Sequence, residues 1–131
     1  MLTAPLKQTP EYKRLLAGMA GAKPAVVALF GMPPTARAQM LAALCEDTGR
    51  SALVVCAGEA DATRFAEDAA VFGRRAEVFP ARDYVLRPGE GQSHEYEYRR
   101  LAVRGNLVGG RTSVACAPVE AVRQYTTPKQ E

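Results

Sequence analysis

The residues best placed to do chemistry run from Gly31 to Ala38, GMPPTARA, between an apolar run and a segment of helical periodicity. A strand, a glycine-led turn and a helix form the setting of a phosphate-binding loop, G-x-x-x-x-G-K-[ST]. Laid over that motif, only Gly31 survives. Ala36 stands where the second glycine belongs, and its Cβ crowds the backbone approach. Arg37 keeps a positive charge but not the compact ammonium that reaches between phosphates. Ala38 has no hydroxyl for Mg²⁺. Pro33 and Pro34 lack the N–H groups that would cradle phosphate. The setting of a nucleotide site is present without most of its chemistry.

Other reactive side chains are scattered. Cys45, Cys56 and Cys116 are an odd number without close pairs, which argues against a disulfide framework and a zinc site. They read as small buried thiols. His94 is the sole histidine and has no nearby Cys or second His, so a triad or metal role has no support. Arg82, Asp83, Tyr84 and Arg87 lie in a Pro/Gly-rich loop, a candidate partner-contact loop or an ordinary surface loop. Glu95–Arg99 and Glu97–Arg100 have the spacing of pairs on a solvated helix face. No catalytic residue, metal site or cofactor is expected.

The elements that would position these residues alternate. Thr9-Pro10-Glu11 starts a helix with cap, first-position proline and first-turn acid, and Tyr12, Leu15, Leu16 and Met19 give it an apolar face. Residues 1–22 are read as a loose lead-in and this helix, and 23–131 as one α/β domain. Ala25–Phe30 is six apolar residues without alternation, the pattern of a strand buried on both faces. Thr35 is the expected cap of the helix that follows, which closes at Thr48-Gly49. Ser51–Cys56 is a second strand, Ala60–Phe72 a helix stopped by Gly73, and Ala76–Phe79 a third strand. A loop spans Pro80–Ser93. A helix then runs to Val108 with Tyr98, Leu101 and Ala102 inward. Thr112–Ala117 is the fourth strand and Pro118–Gln124 a closing turn.

Strands alternating with helices predict βαβ units and a mostly parallel sheet covered on both faces. Ligands of such sheets gather at the carboxyl ends of the strands. Those ends carry Gly31–Thr35, Ala57–Asp61, Pro80–Arg87 and Ala117–Pro118, so the two most irregular loops share an edge.

Composition sets outer bounds. The 131 residues are 47% hydrophobic and 24% charged, which suits one ordinary globular domain that needs no staples. A net charge of +3, no Trp and few aromatics give neither a strong nucleic-acid footprint nor a stacking platform. No stretch has the length of a membrane span or the form of a signal peptide, and the cytoplasm is the expected compartment.

The order of LFGMPPTARAQML, then ALVVCAGEADATRFAEDAAVFG, then VFPARDYVLRPGEGQSHEYEYRRLAVRGNLVGGRTSVACAPVEAV resembles the N-terminal segment of transcription-repair coupling factors (Mfd). In the last stretch a strand ends in Phe79-Pro80, a loop carries Asp83-Tyr84, and a helix carries Glu95-Tyr96 and Arg99-Arg100-Leu101. An apolar strand ending in Ala117-Pro118 follows. The resemblance covers about Lys23 to Tyr125. That family is similar here to the excision-repair protein UvrB. The resemblance implies a RecA-like, P-loop-NTPase-like three-layer fold with a degenerate phosphate loop, in a fragment of a longer multidomain protein. UvrB keeps an intact phosphate loop and an aromatic DNA-gripping hairpin, whereas the loop here carries only Tyr84.

The implied role is recruitment. A coupling factor displaces stalled RNA polymerase and brings in UvrA, mainly through a module expected to begin near Glu131. This segment would support that module and pack on other domains of the parent, which carries the ATP-dependent motor. RNA polymerase and DNA would be contacted through the parent. Two other readings follow from the residues: an α/β domain binding a nucleotide or anion at Gly31–Arg37, and a DNA-binding module using Arg74, Arg75, Arg82, Arg87, Arg99, Arg100 and Arg104. Interleaved acids count against the latter.

Overall fold

In the computed structural model, which describes residues 2–81 and 95–124, the chain begins with two short helices, α1 (Ala4–Lys7) and α2 (Pro10–Met19). Thr9 caps α2 as its type and position dictate: its hydroxyl accepts from the Tyr12 N–H, and Pro10 occupies the first helical position. Helix α3 (Pro34–Thr48) follows. It stops at Gly49, whose φ of +66° is the left-handed conformation glycine adopts at helix ends. Strand β1 (Ala52–Cys56), helix α4 (Glu59–Val71) and strand β2 (Ala76–Val78) come next. After residues 82–94, which lie outside the described part, come α5 (Glu95–Val108), β3 (Val114–Pro118) and α6 (Val119–Arg123).

The described residues form a small α/β fold around a parallel three-stranded sheet of order β1-β3-β2. Strand β3 is central, buried along its whole length, and pairs Val114 with both Ala52 and Ala76. Chain direction reverses across this sheet: β1 to β2 passes over β3, and β2 to β3 steps back. Right-handed crossovers in opposite directions put their helices on opposite faces. The side chains agree. Ala52, Val54, Cys56, Ala76, Val78, Val114 and Cys116 face Cys45, Ala62 and Ala66 of α3 and α4. Glu77, between Ala76 and Val78, points to the other face and accepts from Asn106 of α5 at 3.2 Å. The result is helix, sheet, helix.

Small residues set the spacing. Ala38, Ala42, Ala43, Ala62, Ala66 and Ala69 are buried, so α3 and α4 approach each other and the sheet closely. Helix α3 has two apolar faces. Leu41 and Cys45 face the sheet core, while Met40, Ala43 and Leu44 meet Tyr12, Leu15 and Met19 in a second cluster. The lead-in is therefore tied down and not loose: Thr3 is buried, and Lys7 reaches both Glu46 and Asp47.

Three sequence expectations change. Ala25–Phe30 is not a strand. It lies outside the sheet and every residue from 21 to 30 is exposed, because an apolar run becomes a strand only when an edge pairs with it. Helix α3 begins two residues earlier than read, with Pro33 as its cap and Thr35 exposed in the first turn, since two prolines already hold the entry. Helix α5 is rotated: Tyr98, Leu101 and Ala102 are exposed, and Arg100 and Val103 face inward.

Candidate functional site

The carboxyl edge of the sheet is the expected ligand edge. Strand β1 leaves it through Gly58 into α4, β3 through Pro118 into α6, and β2 through Phe79 and Pro80. A buried arginine holds this edge together. Arg100 is 3% exposed. Its guanidinium donates to the Pro80 carbonyl at 2.7 Å, to the Ala121 carbonyl at 3.4 Å and to Gln124 Oε1 at 3.3 Å. It also stacks over the Phe79 ring, 4.2 Å from the centroid. The planar fork suits this task, because one cation satisfies several carbonyls in fixed directions. The solvated face expected for Arg100 is thus corrected: the residue joins the exit of β2, helix α5 and helix α6.

Gly31 to Ala38 adopts a closed arrangement. Gly31 has a φ of +72° and Pro33 is extended. The Arg37 side chain turns back and its Nε donates to the Met32 carbonyl at 3.0 Å. The Arg37 N–H is taken by the Pro33 carbonyl. Ala38 is fully buried, its Cβ packed in the core. The first turn of α3 is left with the N–H groups of Thr35 and Ala36. Arg82, Asp83, Tyr84 and Arg87, read as a partner-contact loop, and His94 lie outside the described residues.

A polar network that the sequence reading missed ties the N-terminus to the end of α3. Glu46 accepts from Thr3 at 2.9 Å and pairs with Lys7 at 2.8 Å and Arg74 at 3.5 Å. Asp47 accepts from Lys7 at 2.7 Å and from the buried Tyr12 hydroxyl at 2.6 Å. Hydrogen bonds from Lys7 and Tyr12 hold the Asp47 carboxyl below its ordinary value. Those from Lys7 and Thr3 do the same for Glu46, and the two acids raise Lys7. Burial, with the Asp47 bond added, raises the Tyr12 hydroxyl. A signal was present: two acids in the last turn of a helix oppose its dipole unless partners neutralise them.

Across the sheet Glu77 accepts from Asn106 and from the buried Thr112 hydroxyl, which fixes the start of β3 against β2. At the amino edge an open cleft of about 470 Å³ is lined by residues including Glu46, Arg50, Ser51, Arg74 and Ser113. Cys45 and Cys116 are buried thiols and Cys56 is half-buried. Burial raises all three, and Cys116 is pushed up to about 12. These are poor nucleophiles at neutral pH.

The arginines proposed for DNA do not form one solvated set. Arg100 is buried and Arg74 pairs with Glu46, while Arg75 and Arg99 are exposed. Arg82 and Arg87 lie outside the described residues. Among the described residues no group of three or more His, Cys, Asp and Glu is placed to hold a metal ion, and no helix is long and apolar enough to cross a membrane. No known protein family, curated protein or solved structure matches the chain.

Proposed function

We propose that this chain is a non-catalytic N-terminal domain of a transcription-repair coupling factor, a RecA-like unit that supports recruitment of UvrA to stalled RNA polymerase. The family part of the reading rests on the sequence resemblance. The non-catalytic part is carried by one observation: at the entry to α3, where a phosphate loop would work, Pro33 and Pro34 replace N–H donors and the Arg37 Nε turns back to the Met32 carbonyl. An anion there meets two free N–H groups and no ammonium. A parallel sheet with helices on both faces is compatible with a decayed nucleotide-binding half.

Such a domain acts as a platform. Its internal surfaces are rigidified by Arg100, by Glu77 and by the Glu46–Asp47 network, and its exposed apolar side chains on α5 and α6 suit packing against other domains of a parent. Two measurements test the reading. Calorimetric titration with Mg-ATP or Mg-ADP at low millimolar concentration gives no saturable heat, in the native chain or in Arg37→Ala. The parent polypeptide captures UvrA, and deleting this segment weakens the capture. Saturable heat that disappears in Arg37→Ala would overturn the non-catalytic reading in favour of a nucleotide- or anion-binding domain.

A further inference from the structure

Two exposed apolar surfaces of the described residues complement each other. One is the loop from Ala20 to Gly31. Its middle, Ala25–Phe30, is wholly apolar, yet Val26 is 101% and Phe30 89% exposed, with Val27 and Leu29 about half so. The other is strand β1. Among the described residues it pairs only with β3, so its outer edge presents free backbone groups. Beside that edge Leu53 and Val55 are 59% and 53% exposed, because α5 and α6 cover only part of this face. An apolar strand without an edge and an apolar edge without a strand lie in one chain.

The loop does not reach its own edge. Met19 and Met32, at its two ends, both pack against the cluster of Tyr12, Leu15, Met40 and Ala43. The Arg37 bond to the Met32 carbonyl and the extended Pro33 fix the exit. That cluster sits on one face of α3, and the sheet core sits on another, so α3 stands between the loop ends and the sheet.

We propose that two copies of this chain associate by each laying residues 25–30, as an added parallel strand, along the outer edge of the other's β1. The lengths agree: six residues extend over roughly 20 Å, against a five-residue β1. The chemistry agrees in either register. Alternation sends Val27 and Leu29 to one side and Val26 and Phe30 to the other, so a large apolar pair comes beside Leu53 and Val55. The exchange is reciprocal and closes with two-fold symmetry, covering β1 in both copies. Two such contacts bury on the order of 1,200 Å² in all, the low end of specific interfaces.

Sedimentation equilibrium and hydrogen exchange on the 131-residue chain test this. Loading runs from about 1 to 500 µM, where an interface of this size titrates. The expected result is a monomer–dimer equilibrium, with amides of residues 25–30 protected at high concentration and freely exchanging at low. Val27→Lys with Leu29→Lys, and separately Leu53→Lys with Val55→Lys, raise the dissociation constant at least about tenfold, since each puts charge into a desolvated strand contact. The loop substitutions sit on exposed positions, so the far-UV spectrum of the monomer stays unchanged. A monomer at every concentration overturns the proposal. So does protection of 25–30 that is independent of concentration, which means docking within one chain, and so does a dimer that both double variants leave intact.

Discussion

Replacing Arg100 by Met removes the cation and keeps much of the aliphatic volume. The Pro80 carbonyl then loses a 2.7 Å charged donor, and the Ala121 carbonyl loses its contacts at 3.4 Å. Each buried acceptor left unpaired costs about 1–3 kcal/mol. The cation–π contact with Phe79 adds about 0.5–2 kcal/mol. Relief from desolvating a guanidinium works the other way and cancels part of this sum. The net expectation is a loss of about 2–4 kcal/mol, or roughly 6–16 °C in melting temperature for a chain of this size. Arg99→Met next door is exposed and should stay within about 0.5 kcal/mol. Urea unfolding followed by circular dichroism measures both at pH 7. Arg100→Lys should recover little, because an ammonium cannot serve carbonyls on two elements with a planar fork. Equal midpoints for Arg100→Met and Arg99→Met would refute the view that a buried arginine holds the carboxyl edge.

Tyr12→Phe removes the donor to Asp47 and should cost about 1 kcal/mol in the same assay. Glu46 and Asp47 have lowered values in the folded chain, so their contribution is present above the ordinary carboxylate range, near pH 4, and is lost as pH falls through the lowered values; the urea midpoint should drop below pH 4, and less steeply in Lys7→Met. With a thiol reagent at pH 8 the half-buried Cys56 should react first, and Cys45 and Cys116 only after unfolding; early labelling of Cys116 would contradict its placement in the sheet core. Restoring the motif with Ala36→Gly, Arg37→Lys and Ala38→Ser should still give no calorimetric signal with Mg-ATP, since Pro33 and Pro34 remain without N–H groups; saturable heat would show that the prolines are not what blocks the loop.

Much of the fold was written in local signals. Thr9-Pro10 marked the start of α2, and Gly49 and Gly73, both at positive φ, stand where helices α3 and α4 give way. Apolar runs flanked by these breakers located β1, β2 and β3 to within a residue or two. The missing N–H groups at Pro33 and Pro34 were legible because they depend on residue type, and proline reads the same in any fold. What failed depended on partners distant in sequence. Ala25–Phe30 has strand composition, but composition does not supply an edge. In α5 the apolar side chains Tyr98 and Leu101 suggested the inward face, and Arg100 took it instead. An arginine is read as solvated until carbonyls from two other elements are known to converge on it. Glu46 and Asp47 carried a usable signal in opposing the dipole of α3, though nothing local names Lys7 and Tyr12 as their partners.

The amino edge shows why a cleft lined by arginines need not take an anion. Helices α3, α4 and α5 run antiparallel to the strands, so their carboxyl ends gather here, at Gly49, Phe72 and Gly109. Each end carries a partial negative charge of roughly half a unit. Arg50, Arg74 and Arg111 follow these ends within two residues. Arg111 donates to the Asn106 side chain at 2.9 Å, and Arg74 pairs with Glu46, although its buried Nε has no partner. The cations therefore complement helix ends and a carboxylate already present. On the opposite edge the same topology reverses the sign, collecting the amino ends of α3, α4 and α6. There prolines 33, 34 and 118 stand at the helix entries and reduce the N–H groups on offer. The exposed chemistry that neither edge engages is apolar and strand-like, on β1 and on the loop before α3.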